Sequence, residues 1–316
     1  MRGVILFALL VLAGTAAAQY GSRPTHVLVP FAAGGASDVY TRLAAQKIGE
    51  QTGKAFVVEN RTGAGGRVCW EAAAKAAPDG STAVLIDATY PMLPGLFDKL
   101  SWDVASDLVP VALIAQTPFV VVAGPNARAR TLRALIAQAK ANPGKLNYGS
   151  AGVGSVTHVA TALFLHSAGI DVTHVPYKGM SDAAVAVQAG QVDMMIAASP
   201  TALGAIRSGK AIALAVSSAR RSPALAEVPT ASESGVDYVA TNWFGFAVPK
   251  GTPQASIDAL RDDVVRAMRS PDVLQKLMAQ GAEPSEFTVA QFAQFVREET
   301  RRWTDVIHDA GIRIEQ

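Results

Sequence analysis

A single cysteine, Cys69, occurs in 316 residues. An intramolecular disulfide and a cysteine-rich zinc site are thereby excluded. There is little excess charge of either sign: 17% of residues are charged and the formal net charge is +2. The strongly basic face of a nucleic-acid protein is missing. No H-E-x-x-H pair occurs among the histidines His26, His158, His166, His174 and His308. No G-x-x-x-x-G-K-[ST] phosphate loop and no G-x-S-x-G elbow occurs either, which argues against metalloprotease, P-loop and α/β-hydrolase chemistry. Beyond the N-terminus, no apolar run reaches the roughly 20 residues that cross a bilayer. What is present is 50% hydrophobic residues, enough for a sizeable core, in a length that suits about two domains.

Residues 1–18 read as a secretory signal peptide. Arg2 is the positive start, Val4 to Ala13 the short apolar run, and Ala16-Ala17-Ala18 the small-residue cleavage site. Cleavage after Ala18 would leave Gln19 to Gln316. An exported chain without disulfides is expected in the bacterial periplasm.

From His26 onward, short apolar runs alternate with helical spacing. His26 to Pro30, Ala55 to Val58 and Thr82 to Ile86 read as strands, and Asp38 to Gln51 and Glu71 to Ala77 as helices. Val109 to Ala115 and Phe119 to Ala123 are further apolar runs. A second unit repeats the alternation between Leu132 and Ser217. Two closing helices are expected, over Gln254 to Ser270 and Val289 to Ala310. The alternation predicts an α/β fold in two lobes, each a mostly parallel sheet flanked by helices. Residues 19–123 with 247–316 form the expected first lobe, and residues 124–246 the second. The apolar connections near residues 115–124 and 242–249 read as two crossover strands forming a double hinge, around which a cleft could close.

Two turns carry the most chemistry. Pro30-Phe31-Ala32-Ala33-Gly34-Gly35-Ala36-Ser37-Asp38 leads from a strand into a helix. Such a turn leaves backbone N–H groups at the helix start, where they and the helix dipole attract anions. Ser37 or Asp38 could equally serve as a helix cap. Ser150 to His158 repeats the arrangement in the second unit, with Ser155 a candidate N-cap. Facing each other across a cleft, two such turns would suit a ligand with an acid group at each end. Tyr177 and Lys178 end a strand of the second lobe, where open α/β sheets bind ligands.

The ordered set of motifs resembles the substrate-binding proteins of tripartite tricarboxylate transporters, the TctC-like or Bug family. The matching stretches are Val29 to Gly35 with Asp38, Val57 to Arg61 with Gly63 to Gly66, Pro78-Asp79-Gly80, Pro143 to Tyr148, Gly152 to His158, His174 to Gly179, Gly190 to Asp193, Val228 to Thr230, and Trp243 to Gly245. Departures include Thr62 for the family's common proline, Cys69 for its usual glycine, and Leu93 at the start of its Asn-Pro segment. The resemblance implies a type II periplasmic-binding-protein fold that closes on a di- or tricarboxylate, acidic amino acid or aromatic acid. It also implies delivery to membrane transporter subunits. A monomer is expected, with no nucleic-acid partner, cofactor, metal or catalytic residue. The candidate ligand-binding residues are Phe31, Ala33, Gly34, Gly35, Ser37, Asp38, Thr89, Gly154, Ser155, His158, Tyr177, Lys178 and Ser199. The region Asp87 to Pro91 could also face the cleft. The alternatives are a ligand sensor for a membrane signalling partner and an exported hydrolase using Ser155 and His158.

Overall fold

The computed structural model describes residues 20–97, 99–284 and 287–309. The expected signal segment and cleavage site lie outside them. The chain order is β1 (Thr25–Val29), α1 (Ala36–Thr52), β2 (Phe56–Asn60), α2 (Arg67–Ala74), β3 (Thr82–Asp87), α3 (Leu93–Leu96) and β4 (Leu108–Ala123). Then follow α4 (Leu132–Ala141), β5 (Asn147–Ser150), α5 (Val156–Ala168), β6 (Thr173–Pro176), α6 (Met180–Gln188), β7 (Met194–Ala198), α7 (Ser199–Arg207) and β8 (Ile212–Val216). The chain closes with β9 (Thr241–Pro249), α8 (Gln254–Met268), α9 (Pro271–Ala279), β10 (Glu283–Pro284) and α10 (Val289–Asp309).

The strands make a curled mixed sheet that divides at β4. In the first lobe β2, β1 and β3 are parallel, and β9 lies antiparallel between β3 and β4. In the second, β6, β5 and β7 are parallel, and β4 lies antiparallel between β7 and β8. Each lobe therefore has the expected parallel core of three strands, with antiparallel pairing added by the crossovers. Successive parallel strands need a helical connection, which α1, α2, α5 and α6 supply. The two lobes share β4: Leu108 to Pro118 pairs with β9, and Phe119 to Ala123 pairs with β7 and β8.

The two apolar runs expected at 109–115 and 119–123 are thus one strand. Pro118 sits at the changeover, opposite Thr241 at the end of its ladder, where a missing N–H is tolerated. Ser217 ties the two crossings together. Its hydroxyl accepts the Phe119 N–H at 2.8 Å and donates to the Ala240 carbonyl at 2.5 Å.

One expectation needs correcting: three helices close the chain, not two. Pro271, just beyond the expected helix end at Ser270, opens α9 within its first turn. Proline suits that position because its missing N–H would have no helical partner there.

Buried aromatics hold the first lobe. Trp70 is fully buried, donates its indole N–H to the Leu85 carbonyl at 2.9 Å, and meets Phe31 and Tyr90 edge-on. Phe292 on α10 packs edge-on against Trp243 of β9. Full burial of such side chains contributes about 1.5–3 kcal/mol each. Among the described residues no helix is long and apolar enough to cross a membrane.

Candidate functional site

The β1–α1 turn and the β5–α5 turn come from different lobes and face one another. In the first, Gly34 takes φ +81, a conformation that favours glycine, and Gly35 is the extended N-cap of α1. The first-turn N–H groups of Ala36, Ser37 and Asp38 have no carbonyl four residues back within the helix. Asp38 braces this turn. Its carboxylate accepts the Gly34 N–H at 3.0 Å, Arg42 Nε at 2.9 Å and Asn60 Nδ2 at 3.0 Å. Asn60 Nδ2 also donates to the Phe31 carbonyl at 2.9 Å. Burial alone would raise the Asp38 pKa, but hydrogen bonds from Arg42, Gly34 and Asn60 hold it below the usual value.

The second turn is braced by two imidazoles. Ser155 caps α5, its hydroxyl accepting the His158 N–H at 3.3 Å. His158 Nδ1 accepts the Gly154 N–H at 3.2 Å. The His158 ring lies 4.1 Å from that of His174, nearly parallel, and Tyr148 also stacks on His174 at 4.8 Å. His174 Nε2 is 2.6 Å from Ser150 Oγ, which also accepts the Gly152 N–H. Burial lowers the His158 pKa to about 4. Burial, then the neighbouring imidazole, lowers that of His174 to about 3. Both rings are therefore neutral at pH 7. Ser155 and His158 do not form a nucleophile and base: the imidazole nitrogen nearest the loop is occupied by the Gly154 N–H.

The lobes are closed on each other. The Val156 N–H of α5 donates to Thr89 Oγ1, just after β3, at 2.8 Å. A Cβ on Gly179 would stand 2.8 Å from the Ala32 nitrogen, and one on Gly65 would stand 2.5 Å from the Val153 carbonyl oxygen. Between the turns lies a cavity of about 30 Å³, the scale of one or two water molecules. Phe31, Gly35, Ala36, Ser37, Asp87 and Phe244 line it from one side, with Asn242 at the crossing. Ala151, Val156, Thr157, Met180, Ala198 and Thr201 line it from the other.

Of the expected ligand-binding residues, Phe31, Gly35 and Ser37 line this cavity. Ala33 and Gly34 are exposed on the turn, while Asp38, Gly154, Ser155 and His158 shape the two turns. Thr89 bridges the lobes. Ser199 turns to the Pro118 carbonyl at the crossing, 3.3 Å away. Tyr177 packs on Gly149, and Lys178 is exposed. Thr201 and Asn242 lie outside the expected ligand contacts, and Thr157 falls within the Gly152 to His158 stretch without being named among them. Asp87 fell within a stretch that could face the cleft but was not singled out.

Asp87 is 1% exposed. Its carboxylate accepts the Thr89 N–H at 2.9 Å and lies 3.4 Å from Ser37 Oγ. Burial raises its pKa to about 6, against hydrogen bonds from Thr89 and Ser37. Thr201 Oγ1 is buried without a hydrogen-bond partner. Among the described residues no group of three or more His, Cys, Asp or Glu side chains is placed to hold a metal ion.

Residues 40–312 match the tripartite tricarboxylate transporter family receptor, TctC. The chain belongs to this family. Protein BugT of Bordetella pertussis (strain Tohama I) is 36% identical over 316 residues, covering 99% of this chain and 97% of its own. The structure of periplasmic binding protein BugD superposes with a TM-score of 0.90 at 29% identity, covering 93% of this chain and all of that one. MatC from Rhodopseudomonas palustris with bound malate superposes with a TM-score of 0.87 at 32% identity, covering 91% and 100%. The TctC and Bug proteins are solute-binding proteins rather than enzymes. The two-lobed fold is theirs.

Proposed function

We propose that this TctC protein works in the periplasm, binds a small carboxylate between the β1–α1 and β5–α5 turns, and delivers it to a tripartite tricarboxylate-type transporter. One observation carries the reading: two braced helix N-termini, one from each lobe, line a single cavity together with a buried, unpartnered Thr201 hydroxyl. Helix-start N–H groups suit a carboxylate without any cationic side chain. Each hydrogen bond to a charged group contributes about 1.5–3 kcal/mol, so a few of them sustain binding against the cost of closure. The malate bound by MatC supports the same ligand chemistry. Export by the N-terminal segment, cleavage after Ala18 and a monomeric state belong to this reading. So does a double hinge at residues 115–124 and 242–249, for which the shared β4 and the Ser217 tie are the physical support.

The test is a thermal-shift screen of the ligand-stripped protein against mono-, di- and tricarboxylates. A ligand at 100 times its Kd adds about 2.7 kcal/mol to the folded state, a plainly visible shift. Stabilisation by carboxylates but not by neutral amides of the same skeleton is expected. Equal response to both, or to neither, overturns the reading.

A further inference from the structure

The cavity between the lobes is lined by one ionisable side chain, the Asp87 carboxyl, and by no lysine, arginine or histidine. Asp87 is buried, and among the described residues it makes no ion pair. Its hydrogen bonds come from the Thr89 N–H and hydroxyl, the Ser37 hydroxyl and its own N–H, all uncharged donors. Those donors meet the hydrogen-bonding needs of the carboxylate but carry no charge, so its negative charge stays uncompensated beside the cavity. A dianionic ligand placed here would meet a buried like charge and no compensating cation, which is strongly unfavourable at low dielectric. A ligand bringing a positive charge would satisfy the buried carboxylate instead.

The position of that charge follows from the neighbours. Asp87 stands beside Ser37, whose hydroxyl is 3.4 Å from Asp87 Oδ2. Ser37 also lies in the first turn of α1, where the N–H groups await an anion. The anion-binding donors and the cation-binding carboxylate are thus adjacent, not at opposite ends of the cavity. On the carboxylate reading given above, on which this rests, we propose that Asp87 is the counter-ion for a protonated amine next to the ligand's carboxylate. This chain then takes an α-amino acid in preference to the matching dicarboxylate, hydroxy acid or des-amino acid.

Isothermal titration calorimetry on the ligand-stripped protein tests this with matched sets. The probes are the common α-amino acids, each with its des-amino and α-hydroxy analogue, plus succinate and malate. The expected result is at least tenfold tighter binding of an amino acid than of its own two analogues. In Asp87→Asn, which is nearly isosteric and retains a carbonyl acceptor for the Thr89 N–H, that preference falls at least tenfold. The amine preference of the wild-type protein is a readout that does not depend on the variant folding. Carboxylates that bind equally well with and without the amine overturn the role of Asp87 and leave the carboxylate site standing. An amine preference that survives in folded Asp87→Asn also overturns it. Binding of no carboxylate of any kind overturns both.

Discussion

Thr89 and Val156 join the two lobes by a single hydrogen bond: the Val156 N–H at the start of α5 donates to Thr89 Oγ1 at 2.8 Å. It links the end of β3 in the first lobe to the β5–α5 turn of the second, beside the shared cavity. Thr89 and Val156 are both buried where the lobes meet, so the bond would be lost if the proposed hinge let the lobes part.

Thr89→Val keeps the shape of the side chain and removes both the acceptor for Val156 and the hydroxyl donor to Asp87. A typical net hydrogen bond is worth about 1 kcal/mol, so ligand affinity is expected to fall roughly fivefold. Dissociation should account for most of the loss, measured by stopped-flow against equilibrium titration. An unchanged dissociation rate would show that the closed form does not depend on this bond.

Gly179→Ala tests closure by sterics. Gly179 has φ −175, extended backbone that any residue adopts, so the substitution brings no backbone strain of its own. The new methyl would meet Ala32 of the opposite lobe at 2.7–2.8 Å. Thermal stability without ligand should change little, because the lobes can part. Affinity should fall at least tenfold, and the radius of gyration with ligand should exceed that of the wild-type complex. A compact complex of normal affinity would contradict the closure account.

How much of this arrangement is legible in the sequence depends on the range of the forces that set it. The two turns are written locally: Gly34-Gly35 and Gly152 to Ser155 each follow a short strand and open a helix. The two-lobed frame is readable from two successive units of alternating strands and helices, and the resemblance to TctC proteins implies the same frame. The single β4 strand was hidden, since Gln116-Thr117-Pro118 interrupts its apolar pattern and only pairing with β9 and β7 carries the chain straight through. The lining by Thr157, Thr201 and Asn242 was hidden for a similar reason. Side-chain direction there is decided by packing between segments far apart in the chain. Lys178 shows the converse. A cation at a strand end reads as an attraction for carboxylate, yet it stands exposed and outside the cavity.

Asp87 gives a pH dependence of known sign. Burial raises its folded pKa to about 6, above the ordinary value of 3.8. The folded state therefore holds this proton more tightly than the unfolded chain. Stability contributed by the protonated acid is present below pH 4, declines between pH 4 and 6, and is gone above. At pH 7.5 Asp87→Asn without ligand should be more stable than wild type by roughly 2–3 kcal/mol, and the gap should close toward pH 4. Urea unfolding at several pH values measures it. A variant less stable than wild type at pH 7.5 would contradict the assignment.

The His158–His174 pair runs the other way. Burial depresses both pKa values, to about 4 and about 3. Their contribution is complete above the unfolded value of about 6.5 and is lost as pH falls toward the folded values. In an imidazole NMR titration both rings should stay neutral at pH 5.5. His158 should keep the tautomer with its proton on Nε2, because Nδ1 accepts the Gly154 N–H. Protonation of either ring near pH 6.5 would mean that the stack does not form as described.

The central claim is that a carboxylate sits against the start of α1 inside the closed cleft. Calorimetric titration of wild type and Gly35→Val, using the carboxylate that stabilises the protein most, tests it most directly. Gly35 lines the cavity, and its φ of −75 accepts a side chain. A Cβ there would meet only the Ala32 carbonyl oxygen, at 3.6 Å. The variant should therefore fold normally while its added methyls stand where the ligand must reach the Ala36 and Ser37 N–H groups. One-to-one binding in the wild type and at least a tenfold loss in a normally stable Gly35→Val is the predicted result. Equal affinity in the two proteins would place the carboxylate elsewhere and contradict the account.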